Sequence, residues 1–165
     1  MGSVLTRSLA AASALVAMGL LGAAASGAQP VPPPPWTIHI VNDTCPDTTW
    51  GFDEKTTRRN MAELVRAHLD AMAHTDADPD EARDRYTMAV TNEALAFLEH
   101  YPERKDELVR RLREGRMTLS PFLNNTLWGW QSEEAFLRSL YPARRLERAW
   151  GIPIDVAHHS ELPSL

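Results

Sequence analysis

Cys45 and Asp47 stand two residues apart, with Trp50 three residues further on. A thiolate and a carboxylate at that spacing can reach one metal ion, and zinc accepts both ligand types. A plainer account fits the same residues: a buried thiol beside an aspartate that caps a turn. Trp50, Asn124 and Trp128 have the chemistry of sugar contacts, since amides bond hydroxyls and indoles cover the C–H faces of a ring. Asn124 and Trp128 serve equally well to close their own loop. His158 and His159 are neighbours at the end of an apolar run, so only one can face a site there; hydrogen bonding suits it better than metal binding. His39, inside an apolar run, reads as a core histidine.

These residues follow segments with the composition of strands. Trp36–Val41 is apolar and β-branched and runs into Asn42-Asp43. Tyr86–Val90 reads as a second strand, Met117–Leu119 as a third and Ile152–Ala157 as a fourth. Helices separate them. Asp53 to about His74 places Met61, Leu64, Val65, His68, Leu69 and Met72 on one face, with Asp53 as N-cap. An acidic loop, Thr75–Asp84, follows. Asn92–His100 and Pro102–Glu114 read as two helical pieces, with Gly115 just past the second. Ser132 caps a helix running to about Trp150, and Gly151 ends it.

Strands alternating with helices predict an α/β fold with a parallel sheet, and ligands then gather at the carboxyl ends of the strands. All four ends are polar: Asn42 to Trp50, Thr91-Asn92-Glu93, Ser120 to Trp128, and His158 to Glu161. No glycine-rich phosphate loop, G-x-S-x-G or HExxH motif is present.

The chain has 165 residues and a net charge of -5, with acids and bases interspersed. That balance argues against a nucleic-acid partner, which wants a basic face. Arg7 is the sole charge before Asp43. The apolar run Leu9–Ala25 and the small residues Ser26-Gly27-Ala28 have the order of a secretory signal, so residues 1–28 are expected to be removed near Gln29. The expected location is secreted or periplasmic, with no stable membrane insertion after cleavage. Residues 29–35 hold five prolines and read as a stiff spacer. Cys45 is the one cysteine, so no internal disulfide forms.

Ile38 to Trp50 resembles the opening of glycoside hydrolase family 38, the α-mannosidase group, where the first strand leads into a His-x-Asp-x-x-Trp motif whose His and Asp bind zinc. Cys45 stands at the His position, and Asp47 and Trp50 match. Arg85-Tyr86-Thr87 with Glu93 resembles the second strand and its following acid. Lys105–Asn125 resembles the third step, and Tyr141–Ile154 the approach to the nucleophile. The resemblance covers residues 36–165. It implies a partial (β/α) barrel of parallel strands with flanking helices, N-terminal part only, and a carbohydrate substrate.

The resemblance implies a retaining, Zn2+-assisted hydrolysis of α-linked mannosides. Glu161 aligns with the nucleophile, with Asp155 as the competing position. Cys45 and Asp47 would be the zinc ligands, and Trp50, Asn124, Trp128 and His159 would touch substrate. The acid/base carboxylate and the fourth zinc ligand fall beyond Leu165. Cys for His and Glu for Asp are departures, and they favour the alternative of a non-catalytic carbohydrate-binding or remnant protein. A polysaccharide deacetylase ranks third, because it wants adjacent aspartates and a His-x-x-x-His. An incomplete barrel exposes its inner face and two strand edges, and self-association is expected of it.

Overall fold

The structure is a computed structural model and describes residues 40–44 and 51–158. The chain divides into two units at His39, and the described residues all belong to the second.

Helix α1 spans Glu54–His74. Asp53, in extended conformation, starts it by accepting the Thr56 N–H at 2.7 Å. Met61, Val65, Leu69 and Met72 recur every three or four residues and are buried along one face, as the spacing predicts. The opposite face carries Glu63, Arg66 and Asp70 in i,i+3 and i,i+4 ion pairs.

Strand β1, Tyr86–Met88, pairs in parallel with β2, Met117–Leu119. Tyr86 faces Met117, Thr87 faces Thr118 and Met88 faces Leu119. The alternation of the pleat sends Tyr86, Met88, Met117 and Leu119 into the core. The two threonines lie on the other face, joined by a 3.0 Å hydroxyl hydrogen bond. In these two strands that face is polar. On the free side of β1, Asp43 forms a single parallel bridge to Thr87, whose N–H donates to Asn42 O at 2.9 Å. The most N-terminal residues of the expected first strand lie outside the described residues.

Helices α2, Thr91–His100, and α3, Lys105–Arg113, pack on the core face through Ala94, Phe97, Leu108 and Leu112. A 3-10 turn, Pro102–Arg104, joins them, where a continuous second helix was expected from Pro102. Gly115 adopts φ +70, and Arg116 N–H reaches back to Arg111 O at 3.1 Å, which closes α3 with a left-handed cap.

Two further expectations differ from the structure. The helix Ser132–Trp150 is two helices, α4 (Glu133–Ser139) and α5 (Tyr141–Trp150), which meet at Leu140. Pro142 is the reason: it donates no N–H and its ring would collide with the Arg138 carbonyl inside a continuous helix, but it is tolerated in a first turn. The expected fourth strand, Ile152–Ala157, forms no ladder. Pro153 cannot donate, and the hydroxyl of Ser120, just past β2, accepts from His158 N at 3.1 Å and lies 3.3 Å from His158 O. Ile152 still enters the core, and Ile154 packs against it. Among the described residues the architecture is therefore α/β, with helices on one face of a two-stranded parallel sheet.

Candidate functional site

Parallel strands all point their carboxyl ends the same way, and here those ends carry a connected polar cluster. Tyr86 is buried at the start of β1, and its hydroxyl donates to Glu93 Oε2 just past the strand. The same hydroxyl lies 3.1 Å from Thr44 Oγ1, on the first segment. Glu93 is fully buried in the first turn of α2, and its Oε1 accepts the Val90 N–H at 3.3 Å. One residue thus does two things: it satisfies an orphan donor at the helix start and places a carboxyl group inside the protein.

Burial pushes the Glu93 carboxyl up to about 7, while the Tyr86 hydroxyl and the Val90 N–H pull it back down. The Tyr86 phenol moves up, first by burial and then by the neighbouring Glu93 charge. Among the described residues no cation neutralises this pair. The His68 ring stacks on Tyr86 with centroids 4.0 Å apart, and its Nδ1 lies 3.2 Å from Asp84 Oδ2. A carboxyl group that titrates near neutrality can give or take a proton at working pH, which is the property expected of an acid/base group.

At the same end, His158 Nε2 lies 3.1 Å from Asp43 Oδ2. The contact has the distance of an ion pair without hydrogen-bond alignment, and Nε2 is buried with no hydrogen-bond partner among the described residues. The segments that lead into Cys45 and into His159 therefore meet here. Cys45, Asp47, Trp50, His159 and Glu161 themselves lie outside the described residues.

Asn124 is half-buried and accepts a 3.0 Å hydrogen bond from Asn92, whose own carbonyl accepts from Arg58 Nη1 at 2.7 Å. Thr91 N–H and Asn92 N–H donate to Phe122 O and Leu123 O at 2.7 and 3.1 Å. The loop after β2 is clamped to the start of α2, so Asn124 holds its loop as well as lying at this end. Trp128 opens a 3-10 turn, Trp128–Trp130.

Glu93 and Tyr86 were not singled out as site residues from sequence. A usable signal existed: an acid in the first turn of a helix that leaves a buried strand, with a tyrosine at the head of that strand. A depression of about 610 Å3 lies along the opposite, amino-terminal end of the strands, beside Gly115 and Arg116. It shares Tyr86 with the carboxyl-end cluster, but neither Glu93 nor Asp43 lines it.

No family model and no curated protein sequence matches the chain. Solved structures do match its fold. An α-mannosidase from Enterococcus faecalis V583 shares 21% identity over 68% of this chain and 12% of that chain, with a TM-score of 0.55. A protein in glycosyl hydrolase family 38 from Enterococcus faecalis shares 19% identity over 74% of this chain and 14% of that chain, with a TM-score of 0.56. The chain thus spans a small part of either protein, and at these identities what it has in common with them is a fold of the family 38 type.

Proposed function

We propose that the chain is the opening portion of a family-38-like glycosidase, exported, whose complete form hydrolyses α-linked mannosides or related glycans with retention. The observation that carries this reading is the likeness in fold to the two family 38 structures. The cluster at the carboxyl ends of the strands supports it, because that is where α/β folds bind their ligands.

In this reading a Glu161 carboxylate oxygen forms a bond to the anomeric carbon as the glycosidic C–O bond breaks. The leaving oxygen takes its proton from a second carboxylic acid of the complete protein, and water then releases the sugar. Trp50, Asn124, Trp128 and His159 would orient the sugar. Cys45 and Asp47 would hold zinc. His158 Nε2, buried beside the Asp43 carboxylate with no hydrogen-bond partner among the described residues, suits a cation at this end, since imidazole and carboxylate are both zinc donors. Bound zinc would supply a Lewis acid that grips sugar hydroxyls.

The test uses the full chain. Zinc content after dialysis is measured for wild type and Cys45→Ser, and both are applied to an α-mannoside glycan array and given p-nitrophenyl α-mannoside. The expected result is weak zinc retention that falls in Cys45→Ser, mannoside binding, and no turnover. Equal zinc in both proteins would remove the thiol from the site. A wild type that takes up neither zinc nor mannoside would overturn the reading. Mannoside binding without zinc would favour the alternative, a non-catalytic carbohydrate-binding protein.

A further inference from the structure

At the amino-terminal end of the strands the chain gathers arginines. Arg111 and Arg116 are buried. Arg83, Arg85 and Arg110 are more open, and all five line one depression of about 390 Å3. Only three carboxylates share it: Asp76, Asp80 and Glu114. Among the lining side chains alone, five guanidinium groups face three carboxylates; Asp78, Glu81 and Asp84 of the same loop stand outside the lining.

Each carboxylate is already divided between two arginines. Asp76 pairs with Arg111 through both oxygens, at 2.7 Å each, and also with Arg116. Glu114 pairs with Arg111 and Arg110, both at 3.0 Å. Asp80 lies 2.7 Å from Arg85 and 4.0 Å from Arg83. The acids are spread thin, and guanidinium donors are left over. Arg111 Nε is one of them: it is buried without a hydrogen-bond partner among the described residues. Arginines at a common depression with spare donors have the planar, forked geometry that oxyanions fit.

We propose that this depression binds a divalent tetrahedral oxyanion, a phosphate or sulfate group, between Arg85 and Arg110 over the buried Arg111. The site is separate from the carboxyl-end cluster and does not depend on the glycosidase reading. An oxyanion with two charges would answer the arginines of the lining and accept from the exposed guanidinium groups of Arg85 and Arg110. Because the outer arginines are exposed, binding weakens as ionic strength rises.

The experiment is calorimetric titration of the full chain with inorganic phosphate, sulfate and glucose 6-phosphate, with sodium chloride at matched ionic strength as the control. Two variants accompany wild type. Arg85→Gln/Arg110→Gln removes two exposed cations and is expected to weaken phosphate binding about tenfold or more. Asp80→Asn removes a carboxylate from the lining and frees Arg83 and Arg85, so it is expected to tighten binding a few-fold. Tighter binding of glucose 6-phosphate than of phosphate would support the site and show that the group arrives on a sugar. Equal or tighter inorganic phosphate would support it with a free oxyanion. No binding beyond the chloride control in folded wild type, or equal affinity in wild type and the double variant, would overturn the proposal. So would weaker binding in Asp80→Asn, since a merely structural arginine cluster gives no tightening there.

Discussion

Two acid-bearing clusters sit at opposite ends of the same pair of strands, and they treat their carboxyl groups in opposite ways. At the amino end Asp76 meets the guanidinium groups of Arg111 and Arg116, which hold its carboxyl down to about 2. At the carboxyl end Glu93 meets a hydroxyl and an amide inside the core, and its carboxyl rises to about 7. Desolvation opposes ionisation at both ends. What differs is whether a cation answers it. The first arrangement fixes charge and ties a loop to a helix end. The second keeps a proton mobile near neutral pH and lies where α/β folds bind substrates.

The largest expected effect tests the Glu93 end. Between its ordinary value of 4.5 and about 7, the folded protein binds a proton that the unfolded chain has released. Stability must therefore fall as pH rises through that window, and the full shift corresponds to roughly 3 kcal/mol. Urea midpoints at pH 5 and pH 8 measure it. Glu93→Gln keeps an acceptor for Val90 N–H and should flatten the response; an unchanged slope in that variant would break the contrast between the two ends.

Next comes the Arg111 end. Arg111→Ala removes a bidentate ion pair with Asp76, the contact to Glu114 and a buried aliphatic stem. The expected cost is about 2 kcal/mol, moderated because Asp76 is half exposed and water can take over its solvation. The midpoint should move at every pH from 5 to 8 by the same amount, in contrast to the Glu93 response. A loss that itself varied across that range would mean that Arg111 feels the Glu93 proton.

How far these two ends were legible in sequence follows from their physics. The helices α1, α2 and α3 were readable because apolar spacing, Asp53 and Gly115 are local signals. The parallel pairing of β1 and β2 followed from the alternation of strand and helix. Pro142 and Pro153 were also local signals, and reading past them made one helix out of two and a strand out of a segment without a ladder. The clusters were harder. Arg111 and Asp76 are 35 residues apart, and Thr44 lies 42 residues from Tyr86. No pattern along the chain marks which arginine will be buried against which acid, because that depends on how α3 and the Asp76 loop come together. Glu93 looks from its position like a helix-start acid, and it is one. Its second role comes from Tyr86, at the head of the preceding strand, and from burial under the neighbouring elements.

A smaller effect sharpens the account of Glu93. Tyr86→Phe deletes the hydroxyl that pulls the Glu93 carboxyl down, so the carboxyl should titrate above 7, and the lost hydrogen bond should cost about 1 kcal/mol at pH 5. Carbon-13 shifts of labelled glutamate across pH 5 to 9 would report the titration directly. A downward move would mean that water replaces the hydroxyl and solvates the anion.

The smallest expected effect concerns Asp76 alone, and its sign is opposite to that of Glu93. A carboxyl held at about 2 rather than 3.8 contributes stability above pH 3.8 that is lost as pH falls through 2. Wild type should therefore weaken on acidification between about pH 4 and pH 2. Asp76→Asn carries no charge to lose there, so its stability should fall less steeply in that interval. It should not become flat, because Asp53, Glu63 and Glu99 are also held below their ordinary values and release stability in the same range. The size of the difference is limited by water, since the Asp76 side chain is 46% exposed and screening weakens its pairs. Thermal midpoints of wild type and Asp76→Asn at pH 2.5 and pH 5 give the comparison. Converging midpoints at low pH would show that the charge of Asp76 is what distinguishes the amino end, whereas a constant gap would assign its effect to shape and hydrogen bonding instead.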